Sequence, residues 1–248
     1  MKTIKRLNKL KNTRINLNKL HIAEIEKALY NIDMSVRQIK KSYISCTGYF
    51  ASYKNKSQIA FESVLERDFY MMLEFDKNVV SYEEQPIRIQ YEYLDGKNRR
   101  YTPDTLVSYK DRSKRLFEVK YEDELKNNLE LQEKLKLLTS HIKAKYSIDF
   151  EIFTDKFMDK QLLLNYKFLY KFVFIPKDID KTTKINNILN ITDGITVKDM
   201  LIELDINKNK QLEYIPYIWN YVFHNIKVLN NEFEKLTMNT ILEKKVAM

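Results

Sequence analysis

Two carboxylates and one lysine carry the chemistry in this sequence. Tyr101-Thr102-Pro103-Asp104 is followed by a hydrophobic run, a charged turn and then Glu118-Val119-Lys120. Leu106 and Val107 follow Asp104, and Leu116 and Phe117 precede Glu118, so the flanks read as two strands. Lys110 to Lys114 is polar enough to be the turn between them. Such a hairpin sets cross-strand partners about 5 Å apart, which brings Asp104 beside Glu118. Glu118 and Lys120 are two residues apart on one strand and share a face. Carboxylate oxygens at such a point suit Mg²⁺, with Mn²⁺ as a substitute, and the lysine is placed to hold or deprotonate a water. That is the chemistry of metal-assisted phosphodiester hydrolysis, with one or two ions.

The elements around this point must position it. Ser57 offers an N-cap, and Gln58 to Phe75 reads as a helix with Phe61, Val64, Leu65, Met72 and Leu73 on its apolar face. Glu62 and Glu66 lie one turn apart on that helix, and a buried acid needs a partner or a metal, so either could add a third carboxylate. Asp68 and Asp76 are further acids on the same helix. Val79 to Glu83 begins a strand, Gln85-Pro86 interrupts it, and Ile87, Ile89, Tyr91 and Tyr93 alternate as a half-buried strand does. Asp95-Gly96 marks a hairpin turn. Arg99 and Arg100 lead into the central stretch and, with Lys54 and Lys56, are candidates for contact with nucleic-acid phosphates. Glu122 to Leu138 reads as an amphipathic helix, Phe150 to Phe153 as a strand, and Lys156 to Tyr170 as a helix. The expected fold class is α/β: a mixed sheet flanked by helices in three layers.

The chain ends differ from this centre. Residues 1–20 form a basic arm without clear periodicity, and His21 to Ile39 has helical spacing. Tyr43 to Phe50 reads as a short aromatic strand or loop. Composition changes at Phe174-Ile175-Pro176, so the expected division is an arm over 1–20, a catalytic unit over 21–173 and a small helical unit over 174–248. In the last unit Lys184–Asn190, Val197–Leu204 and Gln211–Leu229 are short helical runs, and Thr196 is an N-cap with Asp199 in the first turn. Ile226-Lys227-Val228-Leu229 reads as a wing strand, which would make this unit a winged helix. Its Gln211–Phe223 segment is aromatic rather than basic, which favours a protein partner over base readout.

Charge and composition narrow the partners. Residues 1–56 hold thirteen Lys/Arg against three Asp/Glu, a surplus of +10, while the whole chain carries +9. A basic arm on a nearly neutral body suits a polyanion, most simply double-stranded DNA. A single cysteine, Cys46, excludes an internal disulfide, and with three scattered histidines it excludes a structural zinc site. No apolar run reaches the ~18 residues a membrane span needs, and the expected compartment is the cytoplasm.

These residues resemble the PD-(D/E)XK signature of restriction-endonuclease-like folds. More narrowly, Glu62-Ser63-Val64-Leu65-Glu66-Arg67-Asp68-Phe69, Leu73-Glu74-Phe75-Asp76, Glu84-Gln85-Pro86, Arg100-Tyr101-Thr102-Pro103-Asp104 and Glu118-Val119-Lys120 are similar to the TnsA family, the endonuclease subunit of heteromeric transposases. The likeness runs from about Ser57 to Tyr121, with a weaker match in the helical C-terminal part. It implies cleavage of the 5′ strands at transposon ends, leaving a 5′-phosphate and a 3′-hydroxyl. A TnsB-like DDE transposase would handle the 3′ strands and a TnsC-like ATPase would regulate assembly. Carried over by position, Asp104 is the metal-binding aspartate, Lys120 the catalytic lysine, and the helix glutamate falls on Glu66, with Glu62 as the alternative. Some family members have glutamine where this chain has Glu118. Glu66, Asp104, Glu118 and the carbonyl of Val119 would hold the ions, and Asp76 and Gln85 would play a supporting part. Two other readings stand beside this one: a non-catalytic DNA-binding or assembly subunit, and a stand-alone restriction or repair nuclease. The convergent reading carries its own check, because unit charges about 4 Å apart repel by roughly 4 kcal/mol at an effective dielectric of 20. At least one of the acids should therefore hold its proton above the ordinary carboxylate range.

Overall fold

The computed structural model describes residues 46–244. The basic arm and the helix read over 21–39 lie outside these residues, as does the start of the strand read from Tyr43. Four strands make the central sheet, in the order β3-β6-β7-β8: β3 (Val79–Glu84), β6 (Thr105–Tyr109), β7 (Lys114–Val119) and β8 (Asp149–Phe153). β3–β6 and β6–β7 are antiparallel, and β7–β8 is parallel. A parallel neighbour needs a long crossover. Here it is supplied by α2 (Glu122–Asn127) and α3 (Leu129–Tyr146). The result is a mixed sheet with helices on its faces, consistent with a restriction-endonuclease-like fold.

β7 explains the layering. Leu116 is fully buried in one apolar cluster, while its neighbours Phe117 and Val119 are buried in another. A strand buried on both faces loses the simple in–out alternation of a half-exposed one. One cluster joins the sheet to α1 (Val64–Phe75), to α4 (Lys160–Tyr170) and to the β1–β2 hairpin (Gly48–Ser52 with Ser57–Phe61), through Phe69, Tyr82, Val107 and Tyr166. The other joins it to α3 and to the β4–β5 hairpin (Ile89–Glu92 with Asn98–Tyr101), through Leu135, Leu138, Ile142, Tyr91 and Tyr101. The Asp95-Gly96 turn closes that second hairpin with Gly96 at φ 73°, a conformation glycine adopts at no steric cost.

Several boundaries differ from the sequence expectation. Ser57 does not cap a helix; Ser57–Phe61 is strand β2, paired with β1. The helix starts at Val64, where Ser63 accepts from the Glu66 N–H at 3.1 Å. Ser63 and Glu66 together form a stronger start than an isolated serine, and the apolar run before them is short enough to serve as a strand. The helix read over Glu122–Leu138 is two helices, because Asn128 turns out of the first and caps the second by accepting from Leu131 N–H at 2.9 Å. The helix read from Lys156 begins at Lys160, after a 3₁₀ turn at Asp155–Phe157, with Asp159 as its cap.

The C-terminal residues pack three further helices, α5 (Ile179–Ile191), α6 (Val197–Leu204) and α7 (Lys208–His224), around Ile185, Met200, Ile218 and Trp219. Thr196 caps α6 as its sequence predicts, accepting from Asp199 N–H at 3.0 Å while donating to the Asp199 carboxylate at 2.6 Å. The expected wing strand at Ile226-Lys227-Val228-Leu229 is a 3₁₀ turn over Ile226–Val228 instead. Burying Val228 and Leu229 together against the helices overrides their strand preference. The antiparallel pairing in this part is made by β9 (Ile195–Thr196) and β10 (Ile241–Leu242), and Leu229 adds a bridge to Leu242, flanked by the Glu243 N–H donating to the Val228 carbonyl at 2.7 Å.

Candidate active site

Asp104 and Glu118 meet where β6 begins and β7 ends. Thr105 pairs with Phe117, so Asp104 and Glu118 stand one step further along the same register. Two main-chain clamps fix this point. The Gln85 N–H donates to the Asp104 carbonyl at 2.8 Å, and the Lys120 N–H donates to the Phe153 carbonyl at 3.0 Å. Gln85 adopts a φ of 42° in front of Pro86, a left-handed conformation that costs a non-glycine residue of order 1 kcal/mol or more. Gln85 thus holds Asp104 through its backbone, and the strain sits beside the acid it holds.

Lys120 gathers the two acids. Its ammonium lies 2.9 Å from Glu118 Oε1 and 3.6 Å from Asp104 Oδ2, and it also donates to the Val119 carbonyl at 3.2 Å. The Val119 N–H donates to Asp104 Oδ2 at 2.8 Å. Glu118 is only 5% exposed, and its Oε2 accepts a short hydrogen bond from the Tyr101 hydroxyl. Burial first, then the Glu118 charge, pushes the Asp104 carboxyl up to about 7, against the opposing pull of Lys120 and the Val119 N–H. Burial also opposes the charge on Lys120, yet Asp104 and Glu118 outweigh it and hold the ammonium above its ordinary range. In this arrangement Lys120 keeps its proton, so it is suited to orient a water or phosphate and not to deprotonate one.

Glu66 stands at the edge of this group. Its carboxylate accepts from the Glu62 N–H and from the Ser63 hydroxyl, each at 2.9 Å, and so caps the start of α1. Burial holds its proton above the ordinary range, and its charge adds to the rise at Asp104 while Lys120 acts against the rise at Glu66. Glu62 contributes the backbone donor to that cap and its own charge to Glu66. The structure therefore joins Asp104, Glu118, Val119 and Lys120 directly, and couples Glu66 to them through its field. Among the described residues no three His, Cys, Asp or Glu side chains are grouped closely enough to hold a metal ion. Two carboxylates and a backbone carbonyl still fit Mg²⁺, which is commonly held by one or two carboxylates with waters and substrate oxygens filling the rest.

The other sequence candidates have different surroundings. Asp76 is the C-cap of α1, ten residues and about 15 Å along the helix from Glu66. Its side chain accepts from the Asn78 N–H at 2.8 Å. Lys54 is half-buried and donates to the carbonyls of Asp76 and, at 2.8 Å, Val79, where a cation complements the carbonyl end of the helix. Two of that ammonium's three donors are thus engaged by the protein's own backbone. Lys56 is exposed in the β1–β2 turn, at φ 54°. Arg99 and Arg100 are exposed on β5; Arg99 pairs with Asp95 at 3.0 Å and lies 3.8 Å over the Tyr93 ring.

Tyr101 is the residue that sequence reasoning passed over at this site. It is the one buried member of the Asn98–Tyr101 strand. Residues 76–155, a span that holds Gln85, Asp104, Glu118 and Lys120, match the family described as TnsA-like endonuclease N terminal. No curated protein matches the chain.

Proposed function

We propose, from the match of residues 76–155 to the TnsA-like endonuclease N-terminal family, that the protein is the subunit of a heteromeric transposase that hydrolyses the 5′ strands at transposon ends. The observation that supports this most is the Asp104–Lys120–Glu118 cluster, with Glu118 buried and the other two half-buried, at the ends of two paired strands. Its partners on this reading are double-stranded DNA at the transposon ends, a TnsB-like DDE transposase and a TnsC-like ATPase.

Asp104, Glu118 and the Val119 carbonyl would hold Mg²⁺, with Glu66 as the further acid within reach of the site's field. A divalent ion there supplies Lewis acidity, lowering the pKa of a bound water and offsetting charge on the scissile phosphate. Lys120, an ammonium in this setting, orients the water and neutralises part of the charge that builds on the phosphate oxygens. The Gln85 and Phe153 clamps keep Asp104 and Lys120 from shifting as the substrate enters. Arg99 and Arg100, on the exposed strand leading to Tyr101, would contact the DNA backbone.

The test has two stages. Calorimetric titration of Mn²⁺ into the full chain and into Asp104→Ala asks whether the acids bind a metal; binding by the first and not the second is expected. Cleavage of end-bearing duplex DNA, with the partner transposase present, then asks for strand specificity. Asp104→Ala and Lys120→Ala should lose the 5′-strand cut while the partner's 3′-strand processing continues. Retained 5′ cleavage in either variant would sink the assignment.

A further inference from the structure

We propose that Tyr101 is a positioning residue for the nuclease centre, setting which oxygen of Glu118 is free to face a metal ion and substrate. The inference rests on the nuclease reading above and adds to it a residue that acts through Glu118. Three observations carry it. The Tyr101 hydroxyl donates to Glu118 Oε2, while Lys120 engages the other oxygen, Oε1, at 2.9 Å. The two donors approach opposite oxygens, so they fix the rotation of the carboxylate as well as its place. Tyr101 is itself held: its ring is 8% exposed, packs edge-on against Phe150 at 6.1 Å, and carries the Lys134 ammonium 4.9 Å from its centre. Finally, Tyr101 belongs to β5 and pairs with Ile89 of β4, so the hydroxyl is delivered by a hairpin that is separate from the sheet bearing Glu118.

The consequence is specific. Lys120 has to share Glu118 with any cation that binds there, whereas Tyr101 holds Oε2 without competing for Oε1. A hydroxyl donor in this place orients a metal ligand as the carboxylate or carbonyl behind a ligating histidine does. Removing only that oxygen should leave the fold in place and loosen the ligand.

The test uses the full chain and Mn²⁺ alone, read by calorimetry, with thermal melting as a control on folding. Tyr101→Phe should weaken Mn²⁺ binding by about 10–100-fold, the range typical of lost outer partners of metal ligands. A merely structural tyrosine would instead lower the melting temperature and leave the Mn²⁺ affinity of the folded protein unchanged. Glu118→Ala combined with Tyr101→Phe should bind no more weakly than Glu118→Ala alone, because the hydroxyl acts through that carboxylate. If Tyr101→Phe binds Mn²⁺ as the wild type does while Asp104→Ala does not, the positioning role is overturned and the nuclease reading stands. Additive losses in the double variant would also overturn it. If Asp104→Ala binds Mn²⁺ as tightly as the wild type, the metal site itself is misplaced, and both readings fall together.

Discussion

Asp104 sets the pH behaviour of the site. Its carboxyl is pushed from the ordinary 3.8 up to about 7 in the folded chain, by burial first and by Glu118 second. The folded state thus holds this proton more tightly than the unfolded chain does. The stability Asp104 contributes is present in full below its unfolded value and is lost as pH rises from about 4 to about 7. Asp104→Asn should therefore melt higher than the wild type at pH 8, and the gain should shrink toward pH 5; melting curves at both pH values check it. On the proposed metal-binding reading an ion displaces the same proton, so Mn²⁺ affinity should rise with pH up to about 7 and level above it, which calorimetry across that range would show. Lys120→Ala should abolish cleavage and cost about 3 kcal/mol of metal-free stability, since it leaves the buried Glu118 and the half-buried Asp104 without their cation. Added Mg²⁺ should then raise the melting temperature of Lys120→Ala more than that of the wild type. At this scale the sequence was informative: the spacing of Asp104, Glu118 and Lys120 announced their meeting, because a hairpin fixes its own cross-strand neighbours. Glu66 was harder to read, because the same residue that could face the site also serves its own helix as a cap. Tyr101 escaped because its partner lies across two separate pairings, and strand periodicity says only that it is buried.

Elements were legible where one pattern had no rival. The β6–β7 hairpin, the β4–β5 hairpin with its Asp-Gly turn and the Thr196 cap of α6 all appear where the sequence puts them. The expected helix start at Ser57 failed for a physical reason. An isolated serine before an apolar run is a weaker signal than Ser63 answered by Glu66, and Ile59-Ala60-Phe61 find their hydrogen bonds in β1. The two serines make a direct comparison. Ser63→Ala should cost about 1 kcal/mol, the usual worth of an N-cap, and Ser57→Ala, on an exposed strand position, should stay within about 0.5 kcal/mol. Urea denaturation of both variants checks the pair; equal losses would contradict the assigned start of α1. The wing strand is only partly realised: Ile226–Val228 form a tight turn, and Leu229 alone pairs with Leu242 of β10.

At the scale of the molecule, α4 is a shared wall. Leu162 and Tyr166 belong to the apolar cluster beneath the central sheet, while Leu169 on the same helix belongs to the cluster of the C-terminal helices. Tyr166 stacks on Phe75 at 3.8 Å, and Phe75 meets Phe223 of α7 edge-on at 4.9 Å. Asn165, 3% exposed, donates to the carbonyls of Glu232 and Glu234 at 2.8 and 2.7 Å and accepts from the Leu236 N–H at 3.3 Å. Asn165→Ala leaves those backbone groups unsatisfied and should cost about 2–3 kcal/mol. Limited proteolysis should show it first as faster cutting near residues 232–236; an unchanged digestion pattern would count against the clasp. The composition change at Phe174-Ile175-Pro176 is visible in the sequence, yet the packing runs straight across it, because composition reports where a chain turns and not which faces it shares. A gene truncated at that proline would encode a sheet with half of a common core laid bare, prone to clump in the cell. Through α4, the Asp104–Glu118–Lys120 site and the C-terminal helices are therefore bound to be inherited, expressed and lost together.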